Sequence, residues 1–476
     1  MRVILIISYS LLSVIVFGQN PFNNTFGYSN FDASAVIVNY KSDSFLISIT
    51  SEYQTDNYHS YLMELDNFGN KIKGNLINNK VIEINTIKEF FDTKYIINSG
   101  FYGINNSGIE TDLLIQKIDT SGNEIWIKNY GGNQMDFSND FEILADSGVI
   151  IVGTTESYGA GGRDVYIVRT NKNGHSQWTR VYGNSSGQSA YGIERESDSV
   201  YVVAGKWGNL NNNSMDAFAM KINLQGDTLD FRLYGNHLQN FGQSLCKTAD
   251  NGYAIAGWST YDYGGYYSPD AVLYKLDSNL NLKWTKYYGT LGNEDIFDVK
   301  QCFDGGFVLV GHSNGLGQGE DVYIVRTDSI GDTLWTLTLG GDYNDRAYSV
   351  VQTPDSGFAI VGNTYSYGAG GSDAFFLKLK PNGDITTAIG LAVKPKVQSF
   401  SIFPNPAKHS CSITFSKPST GIIQIRSISG TLVNSYNVFS KKEIKISISS
   451  IAKGMYIIVF LPDNSTEMQY SKLIIQ

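Results

Sequence analysis

Aromatic side chains beside small polar groups are the residues of this chain best suited to recognition chemistry. A flat ring stacks on the apolar face of a sugar or grips another protein, while neighbouring hydroxyls and amides hydrogen-bond. Trp207 and Trp258 each lie just beyond a strand-ending glycine, and the stretch Tyr261-Asp-Tyr-Gly-Gly-Tyr-Tyr267 is the most distinctive non-repeating segment. With the loop residues Tyr158 and Tyr367, the candidate ligand-binding set is Tyr158, Trp207, Trp258, Tyr261, Tyr263, Tyr266 and Tyr367. A tyrosine that serves only its own loop carries the same signature.

Catalytic chemistry finds less support. The histidines His59, His175, His237, His312 and His409 share no motif spacing, and neither a Gly-x-Ser-x-Gly elbow nor a His-Glu-x-x-His helix occurs. Carboxylates facing one another across a channel would supply an acid and a base, but their pairing is not written in the sequence. The loops Ser157-Tyr-Gly-Ala-Gly-Gly162, Ser313-Asn-Gly-Leu-Gly-Gln-Gly319 and Ser366-Tyr-Gly-Ala-Gly-Gly371 are each followed by a strand. A phosphate cradle requires a helix there, so these glycines read as turn formers. Asp342, Asn344 and Asp345, and likewise Asn293, Glu294 and Asp295, cluster oxygens in the manner of calcium ligands, without the spacing of a calcium loop. No cofactor or metal site is expected, calcium being the one ion these clusters leave open.

The elements that position these residues are set by a repeat. Glycines at 100, 153, 205, 257, 311 and 362 each end an apolar strand, and Asp112, Asp164, Asp216, Asp270, Asp321 and Asp373 open the next at intervals of 52, 52, 54, 51 and 52 residues. One aspartate per repeat suits a carboxylate that accepts hydrogen bonds from loop amides. Each unit holds four short strands joined by tight turns, the form of an antiparallel blade. Strands such as Val149-Ile-Ile-Val152 are apolar on both faces and need cover on both, which stacked blades provide. Trp126, Trp178, Trp284 and Trp335 each fall 14 residues after their aspartate, a regularity that marks packing.

Seven such units predict an all-β chain: a seven-bladed β-propeller over residues 19–390. The repeat resembles the secreted propeller repeats of about 50 residues, kelch-like in length, and lacks the Gly-His and Trp-Asp signature of the shorter type. The last unit's fourth strand lacks the tryptophan, and Thr25-Phe26-Gly27 resembles the end of the missing one.

Residues 1–18, with Arg2, an apolar run from Val3 to Phe17 and Gly18 before Gln19, read as a signal peptide. Cys246, Cys302 and Cys411 form no disulfide framework, and equivalent strands of adjacent blades lie too far apart for a Cys246–Cys302 bridge. Net charge is −9, yet nine basic and three acidic residues from Pro395 onward make the remainder −15 (−9 minus +6). An acidic body argues against nucleic acid or an anionic membrane as partner.

From Ser399 the 52-residue period stops. Residues 391–398 form a linker, and residues 399–476 contain Phe403-Pro-Asn-Pro406, Gly454-Met-Tyr456 and the terminal Lys472-Leu-Ile-Ile-Gln476. This tail resembles the type A sorting domain of the type IX secretion system of Bacteroidota, a small immunoglobulin-like β-sandwich. The resemblance implies that Pro404, Asn405, Pro406, Gly454, Tyr456 and Lys472 form the sorting motifs, with the secretion machinery as partner. It also implies a secreted or surface location. The expected function is a surface propeller that binds a glycan or protein, as in adhesion; the alternatives are a polysaccharide-degrading enzyme and a structural surface protein.

Overall fold

The computed structural model describes residues 22–386 and 400–475 apart from short internal segments, among them 27–31, 53–57, 263–266, 315–318, 404–406 and 463–468. Expectations for the signal segment, Tyr263, Tyr266 and Pro404 to Pro406 lie outside these residues. The chain divides into two compact units, residues 1–388 and 389–476.

Seven antiparallel sheets build the first unit. Blade 1 spans Asp32–Asn78, blade 2 Val81–Tyr130, blade 3 Asp136–Tyr182 and blade 4 Gln188–Tyr234; blade 5 spans Asn240–Tyr288, blade 6 Glu294–Leu339 and blade 7 Asp345–Leu379. Each of blades 2 to 7 has four strands, and blade 1 has five. The second strands are covered on both faces: every residue of Val149–Thr155 and of Phe358–Thr364 is buried. Their side chains meet those of the next blade. Ile150, Val152, Val165 and Ile167 of blade 3 thus share one core with Ile193, Val203, Phe218 and Met220 of blade 4.

The ring closes through the N-terminus. Asn24–Phe26 pairs with Ala374–Phe376 as the outer strand of blade 7, and Phe22 stacks on Phe375 with ring centroids 4.0 Å apart. Phe45 and Ile47 of blade 1 pack against Ala359, Val361 and Phe376 of blade 7. Residues from both ends of the propeller therefore build its last blade.

The regular tryptophans tie blade to blade. Trp178 Nε1 donates to the Leu224 carbonyl at 3.0 Å and Trp335 Nε1 to the Pro381 carbonyl at 3.1 Å, each in the following blade's outer turn. The second-strand glycines have a steric cause. A Cβ at Gly153 would lie 1.8 Å from the Phe137 carbonyl oxygen, and one at Gly311 would lie 1.8 Å from that of Asp295. This close approach accompanies a β-bulge in the innermost strand, present between Ile84 and Thr86, Ser138 and Asp140, Ala190 and Gly192, Gly242 and Ser244, Ile296 and Asp298, and Ala347 and Ser349.

In the second unit, Phe400–Phe403, Ser410–Ser427, Leu432–Ser447, Gly454–Pro462 and Gln469–Ile475 form a five-stranded antiparallel sheet. It folds over Phe400, Cys411, Phe415, Ile423, Ile425, Ile458 and Phe460. Tyr456 donates its hydroxyl to the Ala452 carbonyl at 2.8 Å, and Lys472 pairs in the sheet opposite Ile457. Cys246, Cys302 and Cys411 are buried free thiols.

Candidate functional site

The bulges set what enters the central channel. A bulge leaves one residue without a partner and re-aims its side chain; in blades 2 to 7 these residues are Asn85, Asn139, Tyr191, Gln243, Phe297 and Tyr348, all lining a channel cavity of about 510 Å³. Three are aromatic and three are amides, so the repeat is broken here. Phe297 lies against Tyr348 with centroids 5.2 Å apart. The amide nitrogens of Asn85 and Asn139 donate to the Ser138 and Ala190 carbonyls of the next blade at 2.8 and 2.7 Å. Their amide oxygens remain available as acceptors.

Three residues further along each strand, about 10 Å deeper at 3.3 Å per residue, lies a charged tier. Lys88 Nζ sits 2.5 Å from Glu142 Oε1 and 3.3 Å from Asp140 Oδ1. Burial disfavours its charge, but these carboxylates outweigh it and hold the ammonium above its ordinary range. Lys300 Nζ sits 2.7 Å from Asp298 Oδ1, and Asp298 Oδ2 also accepts the Val350 N–H at 3.0 Å. Glu194 lies between these pairs along the ring. Burial, reinforced by Glu142 and Asp140 against the pull of Lys88, pushes its carboxyl up to about 7. Cys246, the next residue of this tier, has its thiol pushed up to about 12 by burial.

At the opposite mouth, where the loops joining second to third strands emerge, Trp258 stacks on Phe241 at 4.1 Å and 15°. Lys206 Nζ stands 4.6 Å from the Phe241 centroid and 5.9 Å from that of Tyr191. His312 lies over Phe297 at 5.4 Å and 3.6 Å from Glu320, which also pairs with Arg346. Burial, opposed by Glu320, depresses the His312 pKa. Asp295, opposite His312 in the strand register, accepts both contacts of the Gln243 amide at 2.8 and 3.0 Å, and burial pushes it up to about 7.

The aromatic residues singled out in the sequence separate into groups. Trp258 belongs to this mouth. Trp207 packs edge-on against Phe231 and Phe218 at 4.8 and 5.6 Å, half-buried against the core of blades 3 and 4. Tyr158 and Tyr367 are equivalent residues that donate their hydroxyls to the Gly131 and Gly340 carbonyls at 2.6 and 2.8 Å, closing their own loops on the preceding turn. Tyr261 lies near the end of the strand Tyr253–Asp262. Tyr191, Phe297, Tyr348 and Glu194 were missed by sequence reasoning. A fixed offset could have found the aromatic three, each 14 residues before the glycine of its second strand.

Among the described residues no group of three or more His, Cys, Asp or Glu side chains is placed to hold a metal. Asn344 accepts from the Glu320 N–H, and Asp345 from the Gly341 N–H and the Ser366 hydroxyl, so these oxygens serve loops. No helix long and apolar enough to cross a membrane occurs among the described residues.

Residues 401–476 match the family described as the secretion system C-terminal sorting domain. The chain is thus a β-propeller protein carrying a type IX sorting domain, and it is exported to the cell surface or the extracellular space. No curated protein sequence matches it. Similar solved structures include the hydrazine synthase of Kuenenia stuttgartiensis, at 9% identity and TM-score 0.48 over 78% of this chain and 99% of that one. The Dos1 propeller is 10% identical, with TM-score 0.42 over 75% and 96%. The propeller domain of the Trilobed protease from Pyrococcus furiosus is 12% identical, with TM-score 0.43 over 76% and 99%. At such identities nothing about activity passes to this chain.

Proposed function

We propose that this exported propeller binds a glycan in the loop-side half of its central channel. The reading rests on one observation: at the bulge positions that line the cavity, the chain places Tyr191, Phe297 and Tyr348 among Asn85, Asn139 and Gln243. Aromatic faces next to amide acceptors suit a sugar, which has an apolar ring face and hydroxyls at its rim. The cavity volume of about 510 Å³ falls in the usual range for small-ligand sites. A glycan array probed with the secreted full-length protein tests the reading. Binding that Phe297→Ala and Tyr348→Ala reduce by about tenfold, as expected for a stacking contribution of ~1.5 kcal/mol, supports it. No binding by the wild type to any glycan overturns it.

A second reading, glycan cleavage, is favoured by Asp295, whose carboxyl is pushed up to about 7 on the strand facing His312. A group titrating there is suited to proton transfer at neutral pH. New reducing ends or unsaturated products from a polysaccharide panel, abolished by Asp295→Asn, would establish it; intact polysaccharides after long incubation would exclude it.

A further inference from the structure

We propose that the bound glycan carries a free amine, and that Glu194 is the carboxylate that receives its ammonium; this rests on the glycan reading above. Among the described residues four carboxylates gather at the deep tier of the channel, Asp140, Glu194 and Asp298 lining the cavity and Glu142 paired to Lys88, and two ammonium groups meet them, Lys88 and Lys300. Both lysines are committed: Lys88 to Asp140 and Glu142 at 3.3 and 2.5 Å, and Lys300 to Asp298 at 2.7 Å. Asp298 is further held by Ser244 Oγ at 3.1 Å and the Val350 N–H, and Asp140 by the Ile193 and Phe141 N–H groups at 3.0 and 2.8 Å.

Glu194 differs from its neighbours. It lines the cavity, yet among the described residues no ion pair or hydrogen bond reaches its carboxylate: Lys88 and Lys300 pull on it from a distance while each is paired to another carboxylate, and Glu142 and Asp140 repel it. Burial pushes a carboxylate that lacks a direct partner towards its neutral form; with Glu142 and Asp140 adding to it against Lys88 and Lys300, the value of about 7 agrees with this placement. An ammonium entering from the loop side would complete the tier.

The chemistry above Glu194 decides what carries that ammonium. Tyr191 lies three residues before Glu194 on the same strand, roughly 10 Å away, a distance that one pyranose and its substituent bridge. A glucosamine-type unit stacked among Tyr191, Phe297 and Tyr348 would place its amine towards Glu194. The same charge count excludes uronic and sulfated sugars, whose anions would meet an excess of carboxylate.

Calorimetry with the full-length secreted protein tests this, using the β-1,4 tetramers of glucosamine, N-acetylglucosamine and glucose, and tetralysine. The glucosamine tetramer is expected to bind about tenfold tighter than either neutral tetramer, the ordinary weight of one ~1.4 kcal/mol charge-assisted contact. Glu194→Gln should erase that preference, bringing the glucosamine tetramer to the affinity of the neutral ones. At pH 7 the binding heat of the wild type should vary with the ionisation enthalpy of the buffer, because a half-protonated Glu194 must release its proton; in Glu194→Gln it should not. Equal binding of all three tetramers would overturn the amine assignment and leave the glycan reading standing. Binding of tetralysine as tight as that of the glucosamine tetramer would overturn the sugar class, and no binding by any tetramer would count against both.

Discussion

Asp321 and Asp345 face one another across Gly340. A Cβ on that glycine would lie 1.9 Å from Asp321 Oδ1 and 2.8 Å from Asp345 Oδ2. Asp345 Oδ2 already accepts the Gly341 N–H at 3.0 Å and the Ser366 hydroxyl at 2.7 Å. Burial, with Asp345 adding to it, pushes Asp321 up to about 6. The same junction recurs as Asp112 and Asp136 across Gly131 and as Asp270 and Glu294 across Gly289. At two further junctions one acid is replaced by an amide, Gln188 facing Asp164 across Gly183 and Asn240 facing Asp216 across Gly235. An amide at the place of an acid is what a shared proton would allow.

The folded value of Asp321 lies above its ordinary 3.8, so its contribution to stability is greatest below about pH 4, falls as pH rises towards 6, and is lost at pH 7. Asp345→Asn, which reproduces the amide junctions, should raise stability at pH 7.5 by about 1 kcal/mol after solvent screening and change it little at pH 4. Thermal unfolding at the two pH values checks this. An equal loss at both would refute the shared proton.

Gly311→Ala and Gly153→Ala should each destabilise by about 3 kcal/mol or more, since the added methyl would lie 1.8 Å from a backbone oxygen that cannot move without undoing the bulge. Melting temperatures measure it, and a variant as stable as the wild type would mean that the strands part easily here. These glycines also mark how far the sequence is legible. Their spacing reveals the blade repeat, because apolar strands and turn residues are local signals. Their purpose is not local: it lies in the carbonyl of a neighbouring strand. For that reason Tyr191, Phe297 and Tyr348 escape a reading that weighs loops by composition, while Tyr158, conspicuous in a glycine-rich loop, proves to be hydrogen-bonded back to Gly131. Glu194 escapes too, since an unpaired carboxylate is defined by the blades around it.

Closure of the ring depends on a short N-terminal segment. Phe22→Ala removes a ring that stacks on Phe375 within a core shared with Leu377 and Leu379, at a cost of about 3–4 kcal/mol. Deleting residues 22–26 goes further, baring the edge of Asp373–Leu379, and exposed edges of this kind associate. Light scattering on heating should show aggregation of the deletion below the melting temperature of the wild type. Unchanged melting of Phe22→Ala would show that the blade closes without this ring.

Delivery should depend on the second unit. A chain lacking residues 395–476, and with them the whole matched sorting domain, is expected to accumulate in the periplasm. Fractionation and surface protease accessibility distinguish the compartments. Normal surface exposure of the shortened chain would assign its export to another route.

Lys378 is buried, and its Nζ reaches Asp355 Oδ1 and Oδ2 at 2.9 and 3.1 Å and the Thr353 hydroxyl. Equivalent pairs join Lys275 to Asp250 and Arg326 to Asp304, so each of these third strands carries a buried cation answered by the acid of the inner turn. Burial depresses the Lys378 pKa below its ordinary 10.5, with Asp355 acting against it. Asp355 is burdened by partial burial, but hydrogen bonds from Thr353 and Lys378 lower it below 3.8. It therefore stabilises above pH 4 and loses that contribution as pH falls through its folded value. Asp355→Ala leaves the ammonium enclosed without a counter-charge, an expected loss of about 2–3 kcal/mol at pH 7. The deficit should shrink as pH rises, as Lys378 sheds its proton and the buried charge with it. Adding Lys378→Met to Asp355→Ala should recover most of the loss at pH 7, because an apolar chain of similar length fills the same space. If the double variant melts no higher than Asp355→Ala, the loss comes from the turn at Asp355, whose carboxylate also accepts the Gly357 N–H, and not from the stranded charge.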